Sequence, residues 1–314
     1  MNIIKSRNAA WFLLLNAILW GSSYIWSKML LGYLPYFTIL FSFSLGGLLI
    51  LGPLFHKRIR GIRKKTVILG IGISGFSIGS NIFCLLALQG TSSSNTAFIV
   101  QLSVIITPIL MSLAKRELPG SRAVFGAFAA LAGLFLLTCD FRGFSLNPGD
   151  LYALGNALFF SLYLVALKLY SGNTDPVQFT FVQHAAGTVV FLVLMLSFDI
   201  RRLGDGRMDG AGLAILLLSI VISVATILIQ SGAIQYVRPE KATLIYTLEP
   251  VTATVLAYFF TGEKLAGMSA FAGCALILLA IGSSVYKIRS TQTRPDRVKY
   301  TYLRTSEEMR RKGA

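Results

Sequence analysis

The sequence predicts an all-α polytopic membrane protein: ten transmembrane helices as two inverted five-helix repeats around a central cavity. Three observations predict it. Of 314 residues, 54% are hydrophobic and only 13% charged, about half the charged fraction of a soluble domain, and mean hydropathy is +0.69. Ten apolar runs recur along the chain, each close to the ~20 residues that cross a hydrocarbon core of about 30 Å. Threading those runs through a bilayer from a cytoplasmic N-terminus sorts the basic residues to one side.

The runs lie at 9–31, 35–55, 67–88, 92–113, 121–139, 149–169, 176–198, 211–235, 240–261 and 267–287, leaving no stretch for a soluble domain. The first follows Lys5 and Arg7, as a signal peptide would, but stays apolar past Trp20 to Leu31 without a small-x-small cleavage site. It is therefore expected to remain as a helix. The second ends at the charge run His56 to Thr66, which reads as a cytoplasmic anchor and not a ligand site. The third carries Gly75-xxx-Gly79, and the fifth Gly126-xxx-Ala130 and Ala129-xxx-Gly133. Such small pairs let helices approach closely within one bundle. The fourth contains Pro108, and the sixth ends at Lys168. The seventh holds His184, the one histidine at membrane depth. The ninth has Glu249-Pro250 at its middle, and the tenth precedes a polar, basic tail from Arg289 to Ala314.

Net charge is +16, yet its distribution argues against nucleic acid as a partner. The basic residues sit in short loops beside apolar spans, with 23 Lys and Arg on the cytoplasmic side of the threading and six on the other. That asymmetry puts both termini inside, in a cell (inner) membrane. The tail is expected to rest on anionic lipid. Cys84, Cys139 and Cys274 fall within or at the ends of spans and read as small apolar residues, not disulfide partners or metal ligands. No cofactor, metal site or catalytic residue is read from the chain, and a monomer or a homodimer fits equally.

The chain repeats itself. Asn16, Ala17 and Lys28 match Asn156, Ala157 and Lys168 at an offset of 140, and Gln89 and Glu117 match Gln235 and Glu263 at an offset of 146. Five spans per half is an odd number, so the halves enter the membrane in opposite orientations, as in transporters that alternate access around a midplane site. The division expected is 1–140, 141–288 and a cytoplasmic tail at 289–314.

In lipid, polar residues turn inward, so a polar stripe at helical spacing marks an interior face. The first span offers Asn16, Trp20, Ser23 and Ser27, with Tyr24 beside them; the sixth offers Asn156, Phe160 and Tyr163. The third gives Ser74, Ser77, Asn81 and Cys84, and the eighth Ser219, Ser223, Thr226 and Gln230. The ninth gives Tyr246, Glu249 and Thr252. From these, Asn16, Trp20, Ser23, Tyr24, Asn81, Asn156, Tyr163, Thr226, Gln230, Tyr246 and Glu249 are taken as candidate substrate-binding residues. A single hydroxyl more often bonds its own helix, and an amide satisfies itself about as often between helices as with a ligand. Lys28 and Lys168 are expected to snorkel to opposite headgroup layers. Glu249, Pro250 and His184 are the candidates for coupling or for breaking a helix. An acid at membrane depth can carry a proton or can cap backbone groups loosened by the adjacent proline.

Trp20-Gly21-Ser-Ser-Tyr-Ile-Trp-Ser-Lys28 resembles the first-helix motif of the drug/metabolite transporter superfamily, in its EamA-type branch. Leu248-Glu249-Pro250 with Gly262-Glu263-Lys264-Leu265 is similar to that branch's second-repeat motif, and Arg116-Glu117-Leu118 to its first-repeat counterpart. The resemblance extends to about residue 288 and implies a ten-helix exporter of small metabolites or amino acids. Trp20, Gly21, Lys28, Glu117, Glu249, Pro250, Gly262 and Glu263 carry it. Two departures stand out: Phe41 to Ser44 where members often place an arginine, and Phe160-Ser161 where the second repeat would have Trp-Gly.

The function expected is export of amino acids or related amphiphilic metabolites by alternating access, with proton coupling as an option. The alternative within transport is efflux of drugs or lipid-like molecules. An intramembrane enzyme would need more acids and histidines at membrane depth than this chain has. A receptor or scaffold would have no use for a buried Glu-Pro in an inverted repeat.

Overall fold

The computed structural model describes residues 4–116, 124–125, 127–129, 131–132, 148–171, 174–202, 208–262, 272, 275–276 and 279. Every regular element among them is helical. Eight segments are long and apolar enough to cross a membrane. They are α1 (Ala9–Leu30), α2 (Tyr36–Leu54), α4 (Lys64–Gly90), the pair α5 (Ser93–Val100) and α6 (Ser103–Lys115), α7 (Pro148–Tyr170), α8 (Pro176–Leu194) with a π turn at Met195–Asp199, α9 (Gly210–Ala233), and the pair α10 (Pro239–Tyr246) and α11 (Leu248–Phe260). A short helix, α3 (His56–Ile59), holds part of the charge run. The fifth and tenth expected spans lie outside the described residues except for isolated positions, as do Glu117 and Glu263.

The bundle has the polarity of a protein in lipid. Trp11, Leu49, Leu113, Val189, Leu217 and Phe259 are exposed on its outside, while Asn16, Gln101, Asn156, Thr226, Gln230 and Glu249 are buried within. Apolar side chains lose nothing by facing hydrocarbon, whereas amides and acids there have no partner.

Two spans are broken. The ninth breaks at Thr247, three residues before Pro250, because a proline has no N–H to offer the carbonyl one turn back. Pro250 thereby falls in the first turn of α11, where its N–H would have had no partner anyway. The Thr247 hydroxyl donates to the Leu244 carbonyl at 2.7 Å across the break. The fourth span breaks at Gln101-Leu102.

Packing is pairwise and dense. α1 lies on α9 and α11, α4 on α7 and α8, and α2 runs along α8 and touches α9. α5 and α6 lie against α7. The two broken spans cross, α5 meeting α11 and α6 meeting α10. Glycines set the closest approaches. A Cβ on Gly149, at the start of α7, would fall 2.6 Å from the Gly90 carbonyl carbon at the end of α4. A Cβ on Gly47 of α2 would overlap the His184 ring of α8.

Helix ends are closed by side chains from elsewhere. Lys28 Nζ donates to the Thr91 carbonyl at 2.6 Å, past the end of α4. Lys168 Nζ donates to the carbonyls of Ile234 at 3.1 Å and Gln235 at 3.0 Å, past the end of α9. The sequence has both lysines reaching headgroups. They instead cap the carbonyls that a helix leaves unpaired, where a cation also suits the dipole.

The Gly90–Gly149 contact is testable. Gly149→Val should lower stability by about 1–3 kcal/mol through overpacking. Gly72→Ala, with nothing within 4 Å of the added carbon, should leave it unchanged or slightly raised. Thermal unfolding of the two variants in detergent reads the difference.

Candidate functional site

Between α1, α2, α4, α8 and α9 the bundle is hollow. The space has two adjoining lobes, with about 40 Å³ and 50 Å³ of room for a water-sized sphere, and Leu40, Phe43, Asn81 and Ser223 are common to both walls. That is room for a few waters, well under the usual range for small-molecule sites of about 300–1,000 Å³.

The lobes differ in chemistry. The first is polar, with Ser44, Ser74, Ser77, Gln183 and His184 in its wall. The Gln183 Oε1 accepts from the Tyr163 hydroxyl at 3.3 Å, which leaves the Gln183 amide nitrogen without a protein partner. His184 Nε2 also has none, although both residues are at least nine-tenths buried. The second lobe is aromatic and aliphatic, with Trp20, Tyr24, Leu85 and Ile222, and has Ser23, Cys84, Ser219 and Thr226 at its edges. Among the described residues, no Asp, Glu, Lys or Arg lines either lobe.

Glu249 lies one side chain behind this wall. It is 2% exposed, and its Oε2 accepts from the Tyr24 hydroxyl at 3.3 Å. Its Oε1 has no protein partner. Gly21 makes that arrangement possible. A Cβ there would stand 2.6 Å from the Glu249 carbonyl oxygen and 2.7 Å from the Thr252 Cβ. The two residues of the Trp20-Gly21 pair thus act in different directions, the indole facing the cavity while the glycine lets α1 sit on α11.

The remaining amides hold helices together. Tyr246 is fully buried, and its hydroxyl oxygen accepts from Asn16 Nδ2 at 3.0 Å and from Gln230 Nε2 at 3.2 Å, which joins α1, α9 and α10. Asn156 Oδ1 accepts from Ser80 Oγ at 2.6 Å, joining α7 to α4.

Of the residues expected at a site, Trp20, Ser23, Tyr24, Asn81, Thr226 and His184 stand in the cavity wall. Asn16, Asn156, Tyr163, Gln230 and Tyr246 are engaged between helices, and Pro250 is buried in the first turn of α11. The polar stripes assign part of the wall to the sixth and ninth spans. The second and seventh supply it instead, through Leu40, Phe43, Ser44, Gly187 and Phe191. Most of these carry no polar signal, so a stripe search passes over them. Among the described residues, no three His, Cys, Asp or Glu side chains come together as a metal site.

The profile of the EamA-like transporter family matches residues 7–139 and again residues 147–286. An uncharacterized transporter from Archaeoglobus fulgidus is 28% identical over 281 residues, covering 88% of this chain and 86% of its own. The uncharacterized transporter YyaM of Bacillus subtilis is 25% identical, covering 93% and 98%. A crystal structure superposes with a TM-score of 0.68 at 20% identity, over 91% of this chain and 99% of the other, a likeness of fold.

The Tyr246 hub gives a prediction. Tyr246→Phe removes the shared acceptor and strands two buried amides, for a loss of about 1–3 kcal/mol. Thermal unfolding in detergent should show it, and an unchanged midpoint would mean that Asn16 and Gln230 find other partners.

Proposed function

The chain belongs to the EamA-like transporter family of the drug/metabolite transporter superfamily, and from that premise we propose that it exports amino acids or related amphiphilic metabolites by alternating access. The observation that carries the proposal is the two-lobed cavity: polar at Gln183 and His184, aromatic at Trp20 and Tyr24, and without a formal charge among the described residues of its wall. Once the cavity widens, an amphiphile with a compact polar end and an apolar body would match the chemistry of both lobes, while a phosphate would enter without a cation to meet it.

Two inverted five-helix repeats, ten helices in all, are the architecture in this reading. Several features support it. The family profile matches twice. α1 packs on α9 as α7 packs on α4, and Lys28 and Lys168 cap the corresponding helices at opposite faces. The breaks at Gln101 and Thr247 are 146 residues apart, the same offset that relates Gln89 to Gln235. Crossed broken helices at the repeat interface are how such folds build a midplane site. The charge count supports both termini on the cytoplasmic side of an inner membrane, with the tail on anionic lipid.

Glu249 then acts through Tyr24. An ionised Glu249 accepts the Tyr24 hydroxyl proton and leaves the cavity an oxygen lone pair. A protonated Glu249 donates to the Tyr24 oxygen, and the Tyr24 O–H turns to the cavity as a donor. One proton on the acid so reverses what the wall offers a solute.

Reconstitution tests this. Proteoliposomes should release a labelled amino acid from a panel, with a flux that varies with pH. Glu249→Gln should lower that flux about tenfold, the loss of one charge-assisted contact, and flatten its pH profile. Normal flux with an unchanged profile would end the coupling role. Flux of cationic dyes alone would favour the drug-efflux alternative.

A further inference from the structure

We infer that the α2–α8 pair carries the two gates of the cavity, an Arg58–Asp175 ion pair at one face and an Asp199 carboxylate on the Thr38 amide at the other. The inference rests on the alternating-access reading and on its assignment of the first of these faces to the cytoplasm.

α2 and α8 form one wall of the hollow, through Phe43 and Ser44 on one helix and His184 and Phe191 on the other. Their middles are in close contact. Gly47 lies under the His184 ring, and a Cβ on Gly187 would stand 2.7 Å from Ser44 Oγ. A wall so tightly packed at its centre opens by moving at its ends. Both ends are fastened, and by different chemistry.

At the cytoplasmic end, Asp175 divides its oxygens between two partners. Oδ1 accepts the Val177 N–H at 2.9 Å and caps the start of α8. Oδ2 accepts from Arg58 Nη2 at 2.7 Å and Nε at 3.0 Å. Gln178 Nε2 adds a bond to the Arg58 carbonyl at 2.7 Å. The contact joins the segment after α2 to the start of α8, and its two side chains are 37% and 27% exposed. A pair this open to solvent is screened and easily parted.

At the far end the roles are exchanged. Pro35 precedes α2 and offers no side-chain acceptor to the first turn. That acceptor comes from across the wall. Asp199 Oδ2 takes the Thr38 N–H at 2.7 Å and the Thr38 hydroxyl at 3.1 Å. Asp199 closes the π turn Met195–Asp199, and is buried. A π turn inserts an extra residue and so changes which way the last side chain faces. A buried carboxylate on a helix N-terminus is held more firmly than an exposed ion pair. The cytoplasmic gate therefore parts first, which admits solute from the inside and suits export.

Cys84 supplies the reporter, since it lines the aromatic lobe and is a free thiol. In a Cys139→Ser, Cys274→Ser background, a membrane-impermeant maleimide is applied to the full-length protein in inside-out and right-side-out vesicles. Asp175→Asn keeps the helix cap and removes the charge. It should raise Cys84 labelling from the cytoplasmic side about two- to fivefold and lower it from outside. Asp199→Ala should raise labelling from outside about tenfold, and Thr38→Val, which keeps the backbone contact, should move it the same way by less. If the parent labels from both sides but these variants, monodisperse on gel filtration, leave the ratio unchanged, the gates are overturned. If Cys84 labels from one side only in the parent and every variant, alternating access falls, and the gates with it.

Discussion

A polar group in hydrocarbon has no water to turn to, and this constraint shapes the protein from its helix ends inward. Carbonyls beyond α4 and α9 are met by Lys28 and Lys168, and the first turn of α2 is met by Asp199. Each cap comes from a different helix than the one it closes. The contacts that satisfy the backbone are therefore also those that fix which helices are neighbours. Side-chain amides obey the same rule, with Tyr246 serving Asn16 and Gln230 at once.

Against that background the unpartnered groups are informative. Gln183 Nε2 and His184 Nε2 are buried and unbonded, and both belong to the cavity wall. Glu249 keeps one oxygen on Tyr24 and one without a protein partner. Other buried polar atoms, such as the Gln101 amide and the Thr107 hydroxyl, also go without a partner away from the cavity, so it is the position in the wall that singles out Gln183 and His184. Tyr24 stands between Glu249 and the cavity, and the glycine at position 21 is what lets the acid lie that near.

Much of this was legible in the sequence. Length and hydropathy locate a spanning segment well, because crossing a bilayer is a bulk requirement that ~20 residues either meet or fail. Ends are less legible. The third span begins at Lys64 and not at 67, since a hydropathy window cannot see charged residues in a first turn. Pro250 announces a break, yet the break sits at Thr247, just past the Tyr246 carbonyl that the missing N–H would have met. At the site, stripes found Trp20, Asn81 and Thr226, whose helices each turn a polar face to the hollow. They could not tell those from Asn16 or Asn156, because an amide bonded between helices has the same spacing as one facing a ligand. Phe43 and Phe191 were invisible, being apolar residues on apolar helices. The departure at Phe41 to Ser44 from the family's common arginine was the one hint that the second span lines the cavity.

The central claim is that the two faces open in alternation about a fixed cavity. Spin labels at Lys57 and Tyr236 on one face, and at Gln89 and Met208 on the other, would occupy exposed positions. Distance distributions from pulsed electron resonance in lipid discs should show two populations for each pair. Conditions that lengthen one pair should shorten the other. A single unchanging distance for both pairs, with and without transported solute and across pH, would contradict the account.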